Sequence, residues 1–326
     1  MIRKAVACSL VSFPVAWTAA CGGDAPMDEA VPADVLESAS VTETERPAAG
    51  GGRTFTVDVY PFDAALSPDG SRIVIAGGET FAVFETSDGS RVIDEFEPMT
   101  VDGPMGEDVY DSVVNTWWTA DGTIWGQYDG GIKGFDGDAG QPVEQVAYPG
   151  MVGVTSFDVS PDGSAVFLGH GMTDYFVIHD VRSGKTTRHE RSVESASGMI
   201  GARNAGFTHD GRRLSIGYAD TVRYFRVDGS EIENPVAEFA GTPFEAAVAR
   251  NRGFRAVASA AGEGCWNDGV AIRCGGGEIH EWDGTAPEGT SQMRPAVRTV
   301  SADASTVADV WISDDGGAVV RVVQIR

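Results

Sequence analysis

From Arg53 onward apolar and polar residues alternate in short runs, as in Thr54-Phe55-Thr56-Val57-Asp58-Val59-Tyr60, and Gly or Asp-Gly breaks each run after a few residues. A period of two places successive side chains on opposite faces of a strand, and closely spaced turn residues keep the strands short. No stretch carries a helical period, so the pattern predicts an all-β body over residues 53–326.

The alternation is also organised on a longer scale. Leu66-Ser67-Pro68-Asp69-Gly70-Ser71-Arg72-Ile73-Val74 returns as Val159-Ser160-Pro161-Asp162-Gly163-Ser164-Ala165-Val166-Phe167. Looser copies are Trp118-Thr119-Ala120-Asp121-Gly122-Thr123-Ile124-Trp125 and Phe207-Thr208-His209-Asp210-Gly211-Arg212-Arg213-Leu214. Val300-Ser301-Ala302-Asp303-Ala304-Ser305 is weaker, and Val248-Ala249-Arg250-Asn251-Arg252-Gly253 is degenerate. The markers Asp69, Asp121, Asp162, Asp210, Asn251 and Asp303 thus recur at intervals of 41 to 52 residues, a period of propeller blades or another stacked array.

Pro-Asp-Gly makes a tight turn between two strands, Pro fixing one backbone angle and Gly accepting a positive one. A second turn follows in each unit, at Thr86-Ser87-Asp88-Gly89, Asp136-Gly137-Asp138, Val181-Arg182-Ser183-Gly184-Lys185 and Val227-Asp228-Gly229-Ser230. His179-Asp180 and Trp282-Asp283 precede such turns, with Phe84-Glu85 and Phe135-Asp136 as looser versions. In these features residues 53–326 resemble the WD40-like propeller repeat families, whose blades run strand, Ser-Pro-Asp-Gly turn, strand, strand ending near Trp-Asp, turn, strand. The resemblance implies a β-propeller of four-stranded antiparallel blades and says almost nothing about function.

Six markers give six blades; a seventh would need a degenerate unit inside one of the two longest intervals. The last unit supplies only three strands, around Val297–Val300, Val307–Ile312 and Ala318–Arg326. The N-terminal strand Thr54–Tyr60 is therefore expected to join it and close the ring, since closure removes exposed strand edges.

The chain opens with Arg3 and Lys4, an apolar run from Ala5 to Ala20, and Cys21-Gly22-Gly23-Asp24. A basic start, a short apolar core and small residues before a cut point read as an export signal. Ala19-Ala20-Cys21 resembles the lipobox of bacterial lipoproteins, although Thr18 stands where that pattern usually has Leu. The resemblance implies a signal peptide over 1–20 and lipidation at Cys21, which would anchor the protein to a membrane of the cell envelope. Residues 21–52, rich in Ala, Pro, Glu, Ser and Thr and ending in Gly50-Gly51-Gly52, read as a flexible tether.

Export changes the reading of the cysteines. Cys8 leaves with the signal, which leaves Cys265 and Cys274 as a pair outside the cytoplasm, where a disulfide is the default. Asn267-Asp268-Gly269 between them is a turn signal that sets the flanking strands antiparallel, so the bond would staple one hairpin. The formal charge of -24 makes nucleic acid and anionic lipid headgroups poor direct partners.

No nucleophile elbow, zinc helix, phosphate loop or dinucleotide fingerprint is present. Asp136 and Asp138 begin a calcium-loop pattern but lack its later ligands, so they read as a turn and only as weak metal candidates. The histidines read as structural, with His179 bonding inside its blade and His209 facing solvent. Trp117, Trp118 and Trp125 read as core, and the long connection Asp102–Asp111 as a binding loop or a solvated link. Trp266, beside Cys265 at the tip of a stapled hairpin, is a candidate partner contact. The expectation is a non-enzymatic binding or scaffold module for a protein, peptide or polysaccharide, with no cofactor. The alternative is a propeller enzyme, lactonase-like or quinone-dependent, with its site at the mouth of the central channel.

Overall fold

The computed structural model describes residues 52–324, except 78–79, 95, 104–105, 111, 129–130, 148–155, 172, 191–200, 258–264, 268–271, 275–278, 281–284 and 293. The leader 1–20, Cys21, nearly all of the tether and Trp282-Asp283 lie outside the described residues.

Six antiparallel sheets follow one another as the blades of a β-propeller. Blade one holds strands Asp63–Leu66, Arg72–Gly77, Thr80–Glu85 and Arg91–Ile93. Blade two holds Asn115–Trp118, Thr123–Tyr128, Gly131–Asp136 and Pro142–Ala147. Blade three holds Ser156–Val159, Ala165–Gly169, Tyr175–Asp180 and Lys185–Glu190. Blade four has strands Asn204–Phe207, Arg213–Gly217 and Val222–Arg226, and a single bridge, Phe225 to Glu231, marks its fourth position. The strands of blade five are short: Arg255–Val257, Cys265–Asn267, Ile272–Cys274 and Ile279–His280.

Blade six consists of Val297–Val300, Thr306–Ile312 and Ala318–Gln324, with Arg53–Val57 as its outermost strand. The register runs from Arg53 opposite Val322 to Val57 opposite Ala318, so the N-terminal strand closes the ring as the sequence predicts. Its alternation explains the closure. Phe55 and Val57, with Val59 beyond the strand, are buried against Ile73, Ile75 and Phe84 of blade one and Val320 of blade six.

A separate apolar cluster lies between each pair of neighbouring blades, and each blade contributes side chains to the one before and the one after it. Among the described residues, the cluster between blades five and six is formed by Cys265, Ile272, Val300 and Val307. Cys265 and Cys274 stand directly opposite each other on neighbouring strands of blade five.

The repeated Asp turns share one bonding scheme. Ser67 Oγ and Ser71 Oγ donate to Asp69 Oδ1 at 2.7 and 2.8 Å, and the Arg72 amide donates to Ser67 Oγ at 2.9 Å. Ser160, Asp162 and Ser164 repeat it, as do Ser301, Asp303 and Ser305. Gly70 needs its positive φ of 71°, and a Cβ there would lie 2.4 Å from Thr306 Oγ1 of blade six. In the copy at Asp303 the same left-handed position is taken by Ala304, at φ 57°. The turns also touch around the ring, through the Ala120 amide on the Pro161 carbonyl at 2.8 Å and the Asp303 amide on the Pro68 carbonyl at 3.3 Å.

The body departs from all-β between blades four and five, where α1 spans Pro235–Glu238 and α2 spans Glu245–Ala249. Asn234 caps α1 by accepting from the Ala237 amide, and Pro235 opens it, both standard helix-start chemistry. Too short to show a helical period, these helices bring Phe239, Phe244, Ala247 and Val248 into the cluster between blades four and five. Asn251, read as a blade marker, is instead in the left-handed conformation just past α2 and precedes the inner strand of blade five rather than following it. The blade count survives, but that marker was displaced.

The helical segment also corrects the reading of Trp266. The residue lies mid-strand in blade five, fully buried, with Phe244 at a ring distance of 5.9 Å. Phe239, Phe244 and Phe254 form an aromatic cluster over it, so no surface remains for a partner. His209 is likewise half-buried and stacks on Phe244 rather than facing solvent. The connection at 102–111 forms most of a two-stranded hairpin, Met99–Gly103 with Gly106–Tyr110. Lys133 of blade two holds its base through Glu97 at 2.9 Å and the Pro98 carbonyl at 3.0 Å.

Candidate functional site

The six inner strands run in one direction along the central axis, so their first residues gather at one end of the channel and the Asp turns at the other. At the entry end the strands do not repeat. Blade one supplies Asp63, blade two Asn115 to Trp117, blade three Ser156 and Asp158, blade four Asn204 and blade five Arg255.

Arg255 crosses the axis. Its Nη1 lies 3.0 Å from Asp63 Oδ2 of blade one, its Nη2 donates to the Thr116 carbonyl of blade two at 2.5 Å, and its Nε lies 3.9 Å from Asp158 Oδ1 of blade three. The guanidinium also covers the Trp117 ring at 4.6 Å from its centre. One arginine therefore joins four blades.

Both carboxylates are deeply buried and further bonded. Asp63 Oδ2 accepts from the Thr116 amide at 3.0 Å, and Asp158 accepts from Trp117 Nε1 at 2.5 Å and from the Phe207 amide at 2.6 Å. Burial pushes the Asp158 pKa up to about 7, against the opposing pull of Arg255, the Phe207 amide and Trp117. Gly206 permits the close approach of blade five: a Cβ there would meet the Phe254 carbonyl oxygen at 1.2 Å.

Two cavities share Trp117, Arg255 and Asn267. The smaller, ≈ 230 Å³, runs along the inner strands of blades one, two and six. The larger, ≈ 540 Å³, opens at the entry end among blades two to five. It is lined by Arg203, Arg252 and Arg255, by Asn115, Asn204, Asn267 and Ser156, and by Trp117, Phe157 and Phe254. No carboxylate lines it among the described residues, in a chain with 48 of them. Ser156 is 3% exposed, and its Oγ has no hydrogen-bond partner among the described residues.

The residues singled out from sequence lie elsewhere. Asp136 Oδ1 accepts from the Asp138 and Ala139 amides at 3.0 and 2.7 Å, which closes a turn, while Asp138 pairs with Arg72 of blade one at 3.0 Å. They point into separate roles rather than onto one ion. His179 bonds Thr186 across its own blade at 2.9 Å, as expected of a structural histidine. Trp117, Trp118 and Trp125 are buried, although Trp117 also walls the channel. Sequence reasoning missed Asp63, Asp158 and Arg255. The available signal was an acid inside an otherwise apolar strand, as in Ser156-Phe157-Asp158-Val159, because a buried carboxylate requires a cationic or donor partner.

The chain matches no known protein family and no characterised protein in sequence comparison.

Proposed function

We propose that the protein is an exported, lipid-anchored propeller that binds a ligand in the larger recess at the entry end of its channel and carries out no reaction there. The observation behind this reading is the division of labour around Arg255. The two carboxylates that converge on the axis are committed to a guanidinium and to backbone and indole donors, which leaves the recess walled by groups that recognise rather than react. Export, lipidation at Cys21 and membership of the WD40-like repeat families belong to the same proposal, and rest on Arg3-Lys4, the apolar run and Ala19-Ala20-Cys21, and on the repeated Asp turns. So does the disulfide. A Cys265–Cys274 bond would staple blade five, supported by the facing register of the two residues.

The test is a carbohydrate and peptide array probed with the full chain in detergent, in parallel with an Asn204→Trp variant that places an indole in the recess. Binding by the parent that the variant loses is the expected result; equal binding by both would overturn the recess as the site.

A further inference from the structure

We infer that the smaller cavity takes the side chain of a lysine on a protein or peptide partner docked at the entry end, a second site separate from the larger recess. The chain is acidic as a whole, with a formal charge of -24, and draws cationic partners. Asp63 lines the cavity and is 6% exposed. Among the described residues its two donors, the Thr116 amide and Arg255 Nη1, both fall on Oδ2 at 3.0 Å, so Oδ1 receives no bond, yet it is not sealed from solvent. An ammonium entering from the mouth would meet that oxygen with a charge-assisted bond. The two arginines along the cavity already face acids: Arg255 meets Asp63 and Asp158, and Arg298 lies on Asp309 of the second strand at 2.7 Å. A guanidinium fork needs both oxygens of a carboxylate, whereas one open oxygen suits the point charge of a lysine. The occupant follows from the size and the mouth. A volume of ≈ 230 Å³ is below the roughly 300–1,000 Å³ of sites that enclose a whole small molecule, and it suits a single side chain. Phe62 and Ala296, just ahead of the inner strands of blades one and six, line its mouth. Phe62 and Tyr60, 51% and 43% exposed with ring centres 5.4 Å apart, form an apolar ledge there that a peptide would cover and a free amine would not.

The experiment is calorimetric titration of the full chain in detergent at about pH 8.5, where a lysine ammonium stays charged. The ligands are the capped peptide Ala-Ala-Lys-Ala-Ala, its counterparts with norleucine or glutamate in place of lysine, and pentylamine. The lysine peptide should bind saturably and at least ten-fold more tightly than the other three. Asp63→Asn should weaken it ten-fold or more. Because Asp63 also holds Arg255, a second variant, Ala296→Trp, fills the mouth from an exposed position and should abolish binding with the melting temperature unchanged. Asn204→Trp, which fills only the larger recess, should leave the lysine peptide bound. Equal binding of the norleucine peptide would reduce the cavity to an apolar slot, equal binding of the glutamate peptide would hand recognition to the arginines, and equal binding of pentylamine would remove the peptide partner; each overturns the inference. So would lysine-peptide binding that survives Ala296→Trp or a folded Asp63→Asn, or that is lost with Asn204→Trp. If none of the four ligands binds, the lysine site fails, and the array comparison decides separately whether the larger recess binds anything.

Discussion

The two ends of the channel are built on opposite principles. At the turn end the same few residues recur, each Asp gripped by neighbouring hydroxyls and amides, and adjacent turns touch around the ring. At the entry end the blades share no common run of residues, and one arginine is shared by four of them. Repetition serves closure of a ring from equivalent units; its absence leaves room for recognition. The contrast implies that stability is concentrated at the turns and along the axis, while the rim of the recess is free to vary.

The sharpest way to break the comparison is at the axis. Arg255→Ala strands two buried carboxylates, which should cost about 3 kcal/mol, the low end for a buried pair because Arg255 is partly exposed. Thermal unfolding should then fall by roughly 6–12 °C; an unchanged melt would show that the axis is not held by this residue. At the turn end Gly70→Ala forces a Cβ into the left-handed region and against Thr306, at a cost of about 2–3 kcal/mol in a denaturant titration. Ala304→Gly in the equivalent turn relieves the same strain and should be neutral or stabilising by less than about 1 kcal/mol.

The pH dependence separates the two ends. At Asp69, Asp162 and Asp303 burial would raise the pKa, but bonds from the flanking serines outweigh it and hold each below the ordinary carboxylate value. Their stabilisation is complete above the unfolded value and is lost as the medium becomes more acidic than about pH 4. Asp158 has the opposite sign. With its folded pKa raised to about 7, the native state holds the extra proton between roughly pH 4 and 7, so its contribution declines as pH rises through that window. Melting temperature should therefore peak between roughly pH 4 and 5, and Asp158→Asn should flatten the alkaline side of the peak while leaving the acid side intact. The smallest expected effect is at the rim, where Arg252→Ala should change stability by no more than about 0.5 kcal/mol in the same denaturant titration.

The turn end was legible in the sequence because identical chemistry leaves identical residues at a regular spacing. The closing strand was legible for a related reason, since a blade short of one strand and a spare alternating segment have a single solution. Blade five was not. Its marker was Asn251, a helix stop rather than a blade turn, and Trp266 was read as exposed because the covering phenylalanines come from a segment whose helices span only a turn or so each. Asn234-Pro235 and Gly241 were the available signs of those helices. The recess was hidden for a deeper reason: Asn115, Ser156, Asn204 and Arg252 lie on different blades and share no local pattern, and only ring closure gathers them.

Pairing Arg53–Val57 with Ala318–Gln324 has a consequence for biogenesis. The strand synthesised first must wait, unpartnered and with apolar positions uncovered, until almost the whole chain has emerged, so maturation hinges on a late, long-range zippering step that favours assistance by a holding factor. A permutant that moves residues 53–57 behind the final strand would turn that distant pairing into a local hairpin and should reach the native state sooner.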